Sequence, residues 1–142
     1  MAVEAMAGKK AIIYGYSNVG KGCAMAMRAN SCVFFVTEID PICALQVCME
    51  SSTVTTLADV VRVADICVTI TCNKGILMEN TMHQTKNNTI VGNIGHFDTE
   101  IDMAGPKEMS KHINTKPQVD WFVFTEGHVT MSVILAHHKI DR

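Results

Sequence analysis

The sequence predicts an α/β fold, a doubly wound and mostly parallel sheet with helices on both faces, closed near its C-terminal end by a β-hairpin or a pair of edge strands. Three observations predict it. Short apolar runs alternate with helix-forming stretches, and a glycine turn joins the first run to the first helix, as in the opening half of a βαβ unit. The runs are also apolar along their length, as strands covered on both faces must be. With 142 residues the chain fits one domain, 1–142, of a size that can bury a core without staples.

The elements follow in order. Lys10 to Tyr14, KAIIY, ends at a glycine and reads as a buried strand. Val19 to Ala29 is rich in helix formers, with Val19, Cys23, Ala26 and Met27 at helical spacing. CVFFV, Cys32 to Val36, is the second strand, and Pro41 opens a helix running to about Glu50, where the missing N–H of proline costs nothing. A weaker helix is expected over Leu57 to Val63, a strand over Asp65 to Thr71, a helix around Met78 to Lys86 and a strand over Thr89 to Gly95. Past His96 the pattern turns polar and is broken by Gly105 and Pro106. VDWFVFTEGHVTMSVIL then gives two β-rich runs about Glu126-Gly127, the expected hairpin.

Composition narrows the function. Hydrophobic residues make up 48% and charged ones 18%, which describes a globular chain. A formal charge of −2 supplies no basic field for nucleic acid or an anionic membrane. No apolar run approaches the roughly 20 residues of a transmembrane helix. The six cysteines, Cys23, Cys32, Cys43, Cys48, Cys67 and Cys72, lie in apolar segments and none has C-x-x-C spacing, so reduced core thiols in a cytoplasmic protein are expected, with no metal site.

GYSNVGKG, Gly15 to Gly22, misses two phosphate-binding signatures by one residue each. As G-x-G-x-x-G it carries Ser17 at the second glycine; as G-x-x-x-x-G-K-[ST] it carries Gly22 where a hydroxyl should ligand Mg²⁺. Glu38 decides between them. It follows the second strand at the distance where a dinucleotide fold places an acidic residue on the adenosine ribose, and its charge opposes the 2′-phosphate of NADP. The loop therefore reads as a Rossmann-like site for NAD. Were Ser17 held at positive φ, the strain would cost roughly 1–2 kcal/mol, or on the order of tenfold to thirtyfold in affinity, so weakened NAD binding is expected.

AGKKAIIYGYSNVGKGCAMAMR, VTEIDPICALQ, NIGHFDTEID and KPQVD together resemble the NAD-binding domain of S-adenosylhomocysteine hydrolase, over about Ala7 to Leu135. The resemblance implies an enzyme that converts S-adenosylhomocysteine to adenosine and homocysteine through transient NAD-dependent oxidation of the 3′-hydroxyl. It implies cofactor contacts at Gly15, Ser17, Asn18, Val19, Gly20, Glu38, Cys43, Thr71, Cys72, Ile94, Gly95 and His96, with His96 reaching the substrate side as the one catalytic candidate. It also implies a homo-oligomer, and a substrate domain and C-terminal tail outside the matched span, so that this chain alone is not expected to turn over S-adenosylhomocysteine or adenosine. Departures from the family pattern fall on the cofactor side: Ser17 for glycine, Asn18 for aspartate, Cys43 for asparagine and Cys72 for glycine. They leave a second reading open, a non-catalytic NAD-binding or regulatory module related to the enzyme.

Overall fold

The computed structural model describes residues 6–71, 73–95, 101, 110–117, 119–124 and 129–134. Strand β1 (Lys10–Tyr14) pairs in parallel with β2 (Val33–Thr37) on one side and with β4 (Ile66–Thr69) on the other. Beyond β2 lies β3 (Thr53–Val54), and beyond β4 lies β5 (Thr89–Asn93), both again parallel to their neighbours. The sheet continues through β8 (Val129–Ile134), β7 (Val119–Phe124) and β6 (Ser110–Lys116), giving the order β3-β2-β1-β4-β5-β8-β7-β6. β8 runs parallel to β5, whereas β7 is antiparallel to both β8 and β6. The chain walks outward from β1 to β3, then returns across β1 to start β4. That reversal leaves a crevice at the carboxyl ends of β1 and β4, where open α/β sheets bind ligands.

Helices α1 (Asn18–Ala29), α2 (Pro41–Met49), α3 (Leu57–Val60) and α4 (Glu79–Gln84) complete the described elements. Successive side chains of a strand point to opposite faces, and β1 divides its residues accordingly. Ala11 and Ile13 join Ala24 and Met27 of α1 and Val47 of α2 in one core; Ile12 and Tyr14 join Val60, Leu77, Met82, Phe122 and Phe124 in the other. Both faces of the parallel strands are thus covered, which is why the runs that encode them lack polar alternation. His83 of α4 packs on Phe124 with ring centroids 4.2 Å apart, holding the β7 end of the sheet to the second core. Among the described residues, no helix is long and apolar enough to cross a membrane.

Several expectations shift. The strand and helix edges move by a few residues: α3 stops at Val60 rather than Val63, and β4 covers Ile66–Thr69 within the expected run. β3 and β6, which carry no strand pattern in the sequence, are strands. The buried face of α1 matches the spacing in part: Met27 is buried and Cys23 half-buried as expected, but Gly20 and Ala24 are buried where Val19, 51% exposed, and Ala26 face outward. Glycine at position 20 is set by the close approach of the helix start to the end of β1. The expected hairpin is present as β7 and β8, antiparallel to one another. Cys23, Cys32, Cys43, Cys48 and Cys67 are free thiols, and burial pushes Cys67 up to about 12.

Asp65 gathers the starts of three strands. Its carboxylate accepts from the Lys10 amide at 3.0 Å and the Lys86 ammonium at 2.6 Å, its amide donates to the Lys10 carbonyl at 2.7 Å, and its carbonyl accepts from Ile90 at 2.9 Å. The Lys86 hydrogen bond, then that of the Lys10 amide, hold the Asp65 carboxyl below the usual carboxylate range. A depressed folded value means stability that is present above the unfolded pKa, about 3.9, and is lost as pH falls through the folded value. Asp65→Asn should therefore lower stability by about 1–2 kcal/mol at neutral pH. In urea melts, the gap between variant and parent should shrink below about pH 4; a gap that persists unchanged at pH 3 would refute the assignment.

Candidate functional site

The site begins where β1 ends. Gly15 sits at φ +98°, a backbone conformation that side chains disfavour, and a Cβ there would lie 3.3 Å from the Thr71 side chain and 3.4 Å from the Ile70 backbone. The chain then turns through Tyr16 into α1, whose first turn passes so close to the loop that a Cβ on Gly20 would stand 2.4 Å from the Gly15 carbonyl oxygen. These two glycines are required for separate reasons: Gly15 for its torsion and Gly20 for its contact.

Ser17 is different. It is the N-cap of α1, at φ −67° and ψ −177°, an extended conformation open to any residue. The strain expected of a serine at this position is therefore absent, and the tenfold to thirtyfold weakening argued from it has no structural basis. Its side chain makes no capping hydrogen bond, and its carbonyl accepts the first helical bond, from Lys21 at 2.9 Å.

Glu38 follows β2 and reaches back across the turn. One carboxylate oxygen accepts from the Tyr16 amide at 2.7 Å; the other accepts from the amides of Ile39 at 2.8 Å and Asp40 at 3.1 Å. Asp40 in turn caps α2, accepting from Ile42 at 2.8 Å, with Pro41 at the first helical position as the sequence predicts. Tyr16, 1% exposed, donates its hydroxyl to Glu50 at 2.5 Å. Burial first, then that carboxylate, push its phenol up to about 12, so it remains a donor at neutral pH. Arg28 completes the support, donating to the Glu50 carbonyl at 3.0 Å and the Ser52 hydroxyl at 2.9 Å.

Gly15, Ser17, Glu38 and Thr71 line one cleft of about 530 Å³ at the carboxyl ends of β1, β2 and β4. That volume lies within the roughly 300–1,000 Å³ of cofactor and small-molecule sites. The lining also includes residues that no sequence signal selects, chiefly Thr55, Thr56, Leu57 and Ile76. They lie around the loop after β3 and on the loop before α4, and no motif marks them. Asn18 and Val19 are exposed on the first turn of α1 and do not line the cleft, nor does Gly20, which is buried against the Gly15 carbonyl. Cys43 turns partly into the core shared by α1 and α2, away from the cleft lining. Ile94 and Gly95 lie past the end of β5, where both amides donate to the Thr69 carbonyl, at 3.0 and 3.2 Å. The Gly95 amide also reaches the buried Asn93 side chain at 2.8 Å. Cys72 and His96 lie outside the described residues.

A glycine turn at positive φ, an acidic residue at the end of the second strand and a cleft at the switch point of a parallel sheet define a dinucleotide-binding α/β domain. Residues 2–140 match the family model described as S-adenosyl-L-homocysteine hydrolase, NAD binding domain, and the chain belongs to that family. It is 51% identical over 137 residues to the adenosylhomocysteinase of Triticum aestivum, a match covering 95% of this chain and 28% of that protein. The chain thus spans little more than a quarter of that relative's length. Among solved structures it is similar to the dipicolinate synthase of Bacillus halodurans, with a TM-score of 0.66 at 13% identity over 72% of this chain and 36% of that one. It is likewise similar to D-lactate dehydrogenase from Escherichia coli, with a TM-score of 0.62 at 19% identity over 72% of this chain and 33% of that one. At these identities the likeness is one of fold. NAD is the cofactor of the family's domain, and the cleft fits it: Gly15, without a side chain, lines it at the turn, Glu38 lines it after β2, and Gly20 lets α1 start directly against that turn.

The two kinds of loop position separate by mutation. Gly20→Ala places a methyl group against backbone, and should destabilise the fold by about 1–3 kcal/mol as an overpacked site. Ser17→Gly removes neither strain nor a cap bond, and should change cofactor affinity by about twofold at most, the effect of a few tenths of a kcal/mol. Thermal melts and calorimetric titration read the two. A rise in affinity of tenfold for Ser17→Gly would contradict the unstrained torsion at that position.

Proposed function

We propose that this chain is the cofactor-holding unit of an enzyme that hydrolyses S-adenosylhomocysteine to adenosine and homocysteine, the substrate being held by a further domain of the whole protein. The observation that carries the reading is the convergence of Gly15 and Glu38 on one cleft in a chain of this family. Bound NAD supplies reversible hydride acceptance at the ribose 3′ carbon. This chain's own residues bind and aim. Gly15 and Gly20 let backbone approach the pyrophosphate at the start of α1, where helix geometry leaves amides without helical partners. Glu38 accepts from the adenosine ribose and opposes a 2′-phosphate. Ser17 and Thr71 line the same cleft, with Asn18 and Val19 beside it. Ile94 and Gly95, held by Thr69 and Asn93, are assigned to the nicotinamide end, and Cys72 and His96 to the cofactor and substrate sides on the strength of the family resemblance.

A cytoplasmic location and a homo-oligomer complete the reading. Self-association is supported by α2, a helix without a charged residue on which Ile42, Leu45 and Met49 are 68%, 61% and 77% exposed. A second reading, a related module that binds NAD without turnover, draws on Cys43, whose side chain turns partly into the core and does not line the cleft. The two part on whether the full-length protein releases homocysteine.

Calorimetric titration tests the shared premise. NAD should bind this chain, and NADP should bind at least about tenfold more weakly, since placing a phosphate beside the Glu38 carboxylate costs well over the roughly 1.4 kcal/mol that a decade requires. Absence of any heat or thermal shift with millimolar NAD would sink the reading.

A further inference from the structure

We propose that Glu38 is a positioning residue for the phosphate-binding turn and not solely a ribose acceptor, so that the turn is held in place before any cofactor arrives. The proposal rests on the NAD reading for its functional meaning, but its structural content stands on the ligand-free chain.

The parallel ladder between β1 and β2 pairs Tyr14 with Thr37. At that pair, the last of the ladder, the Gly15 amide donates to the Thr37 carbonyl at 2.9 Å. The chain then swings away at φ +98°, and the Tyr16 amide donates not to a backbone carbonyl of the neighbouring strand but to the Glu38 carboxylate at 2.7 Å. The ladder between β1 and β2 has ended there, and Glu38 ties the turn back to the end of β2 through its side chain. The far end of Tyr16 is fixed as well, by its hydroxyl on Glu50, so this one residue of the turn is held at its amide and at its ring tip.

The acceptor count sets the consequence. An ionised carboxylate offers about four lone-pair sites. Three are taken by the amides of Tyr16, Ile39 and Asp40, and the remaining one lies on the oxygen that already holds Tyr16. A ribose hydroxyl that donates to this oxygen completes the set without displacing a backbone amide. No neutral side chain of the same length reproduces it, because a glutamine has one acceptor oxygen and turns a donor toward amides that are themselves donors.

Amide hydrogen exchange on the ligand-free chain tests this directly. In Glu38→Ala, exchange at Tyr16 should accelerate on the order of tenfold or more, the loss of a charge-assisted bond. Should that variant fail to fold, Glu38→Gln serves: it can satisfy only one side, so either Tyr16 or the Ile39 and Asp40 pair must lose protection. Unchanged exchange at all three amides would overturn the proposal. A second readout uses NAD and an NAD analogue lacking both hydroxyls of the adenosine ribose. If Glu38 acts only through the ribose, Glu38→Ala leaves affinity for the analogue untouched, and the proposal fails. If it also positions the turn, the analogue too should bind on the order of tenfold more weakly. Failure of the parent chain to bind NAD would defeat the cofactor reading, and the exchange result would still decide the role of Glu38.

Discussion

The close passage of Gly20 over the Gly15 carbonyl is the constraint on which the rest of the molecule depends. Because a Cβ at Gly20 would come within 2.4 Å of that oxygen, no other residue lets α1 start so near the end of β1. Everything downstream inherits the geometry. The helix lies close enough for Ala24 and Met27 to enter the core with Ala11 and Ile13, and only at its start, at Gly20, is the side chain excluded altogether. The turn also brings the Tyr16 amide within reach of Glu38, which would otherwise be an ordinary solvated acid after a strand.

The sheet then distributes work between its ends. At the amino ends of the strands, Asp65 binds the starts of β1, β4 and β5 together through both main chain and side chain. At the carboxyl ends, the polar groups of Glu38, Thr69 and Asn93 are directed at backbone amides of the loops that follow β1, β2 and β5. One end is tied shut and the other is built as a rim. This division is what a switch-point cleft needs, since the loops can line a cavity only if the strands beneath them do not splay.

Much of this is legible in the sequence, and the reasons are specific. β1, β2 and β5 are apolar because both faces are covered, so their runs announce them; Pro41 marks the start of α2 through local chemistry alone. β3 is only two residues long and β6 is a polar run, Ser110–Lys116, so neither has a hydrophobic pattern to read. Their existence is decided by pairing with a neighbour, not by their own composition. The face of α1 is read correctly at Cys23 and Met27 and misleads at its start: Val19 is the more hydrophobic residue, but the contact with the Gly15 carbonyl requires Gly20 there. In the site, Gly15 and Glu38 can be found because torsion and charge restrict residue type. Thr55, Thr56, Leu57 and Ile76 cannot, because a cleft wall asks only for a surface of the right shape. Ser17 misleads because a broken motif need not mean a broken torsion, and the torsion at that position is one that serine adopts freely.

The shared carboxylate of Glu38 bears on how such a chain can change over generations. Under the role proposed for Glu38, a residue that meets a cofactor from one side and anchors its own backbone from the other is not free to drift when the cofactor changes. Exchanging it in a single step removes three amide partners at once. A lineage that altered its nucleotide preference at this position would have to acquire a new anchor for the turn first, or pass through a form that holds neither nucleotide well. Residues such as Ser17, which line the same cleft without such a tie, are the ones where variation is cheap.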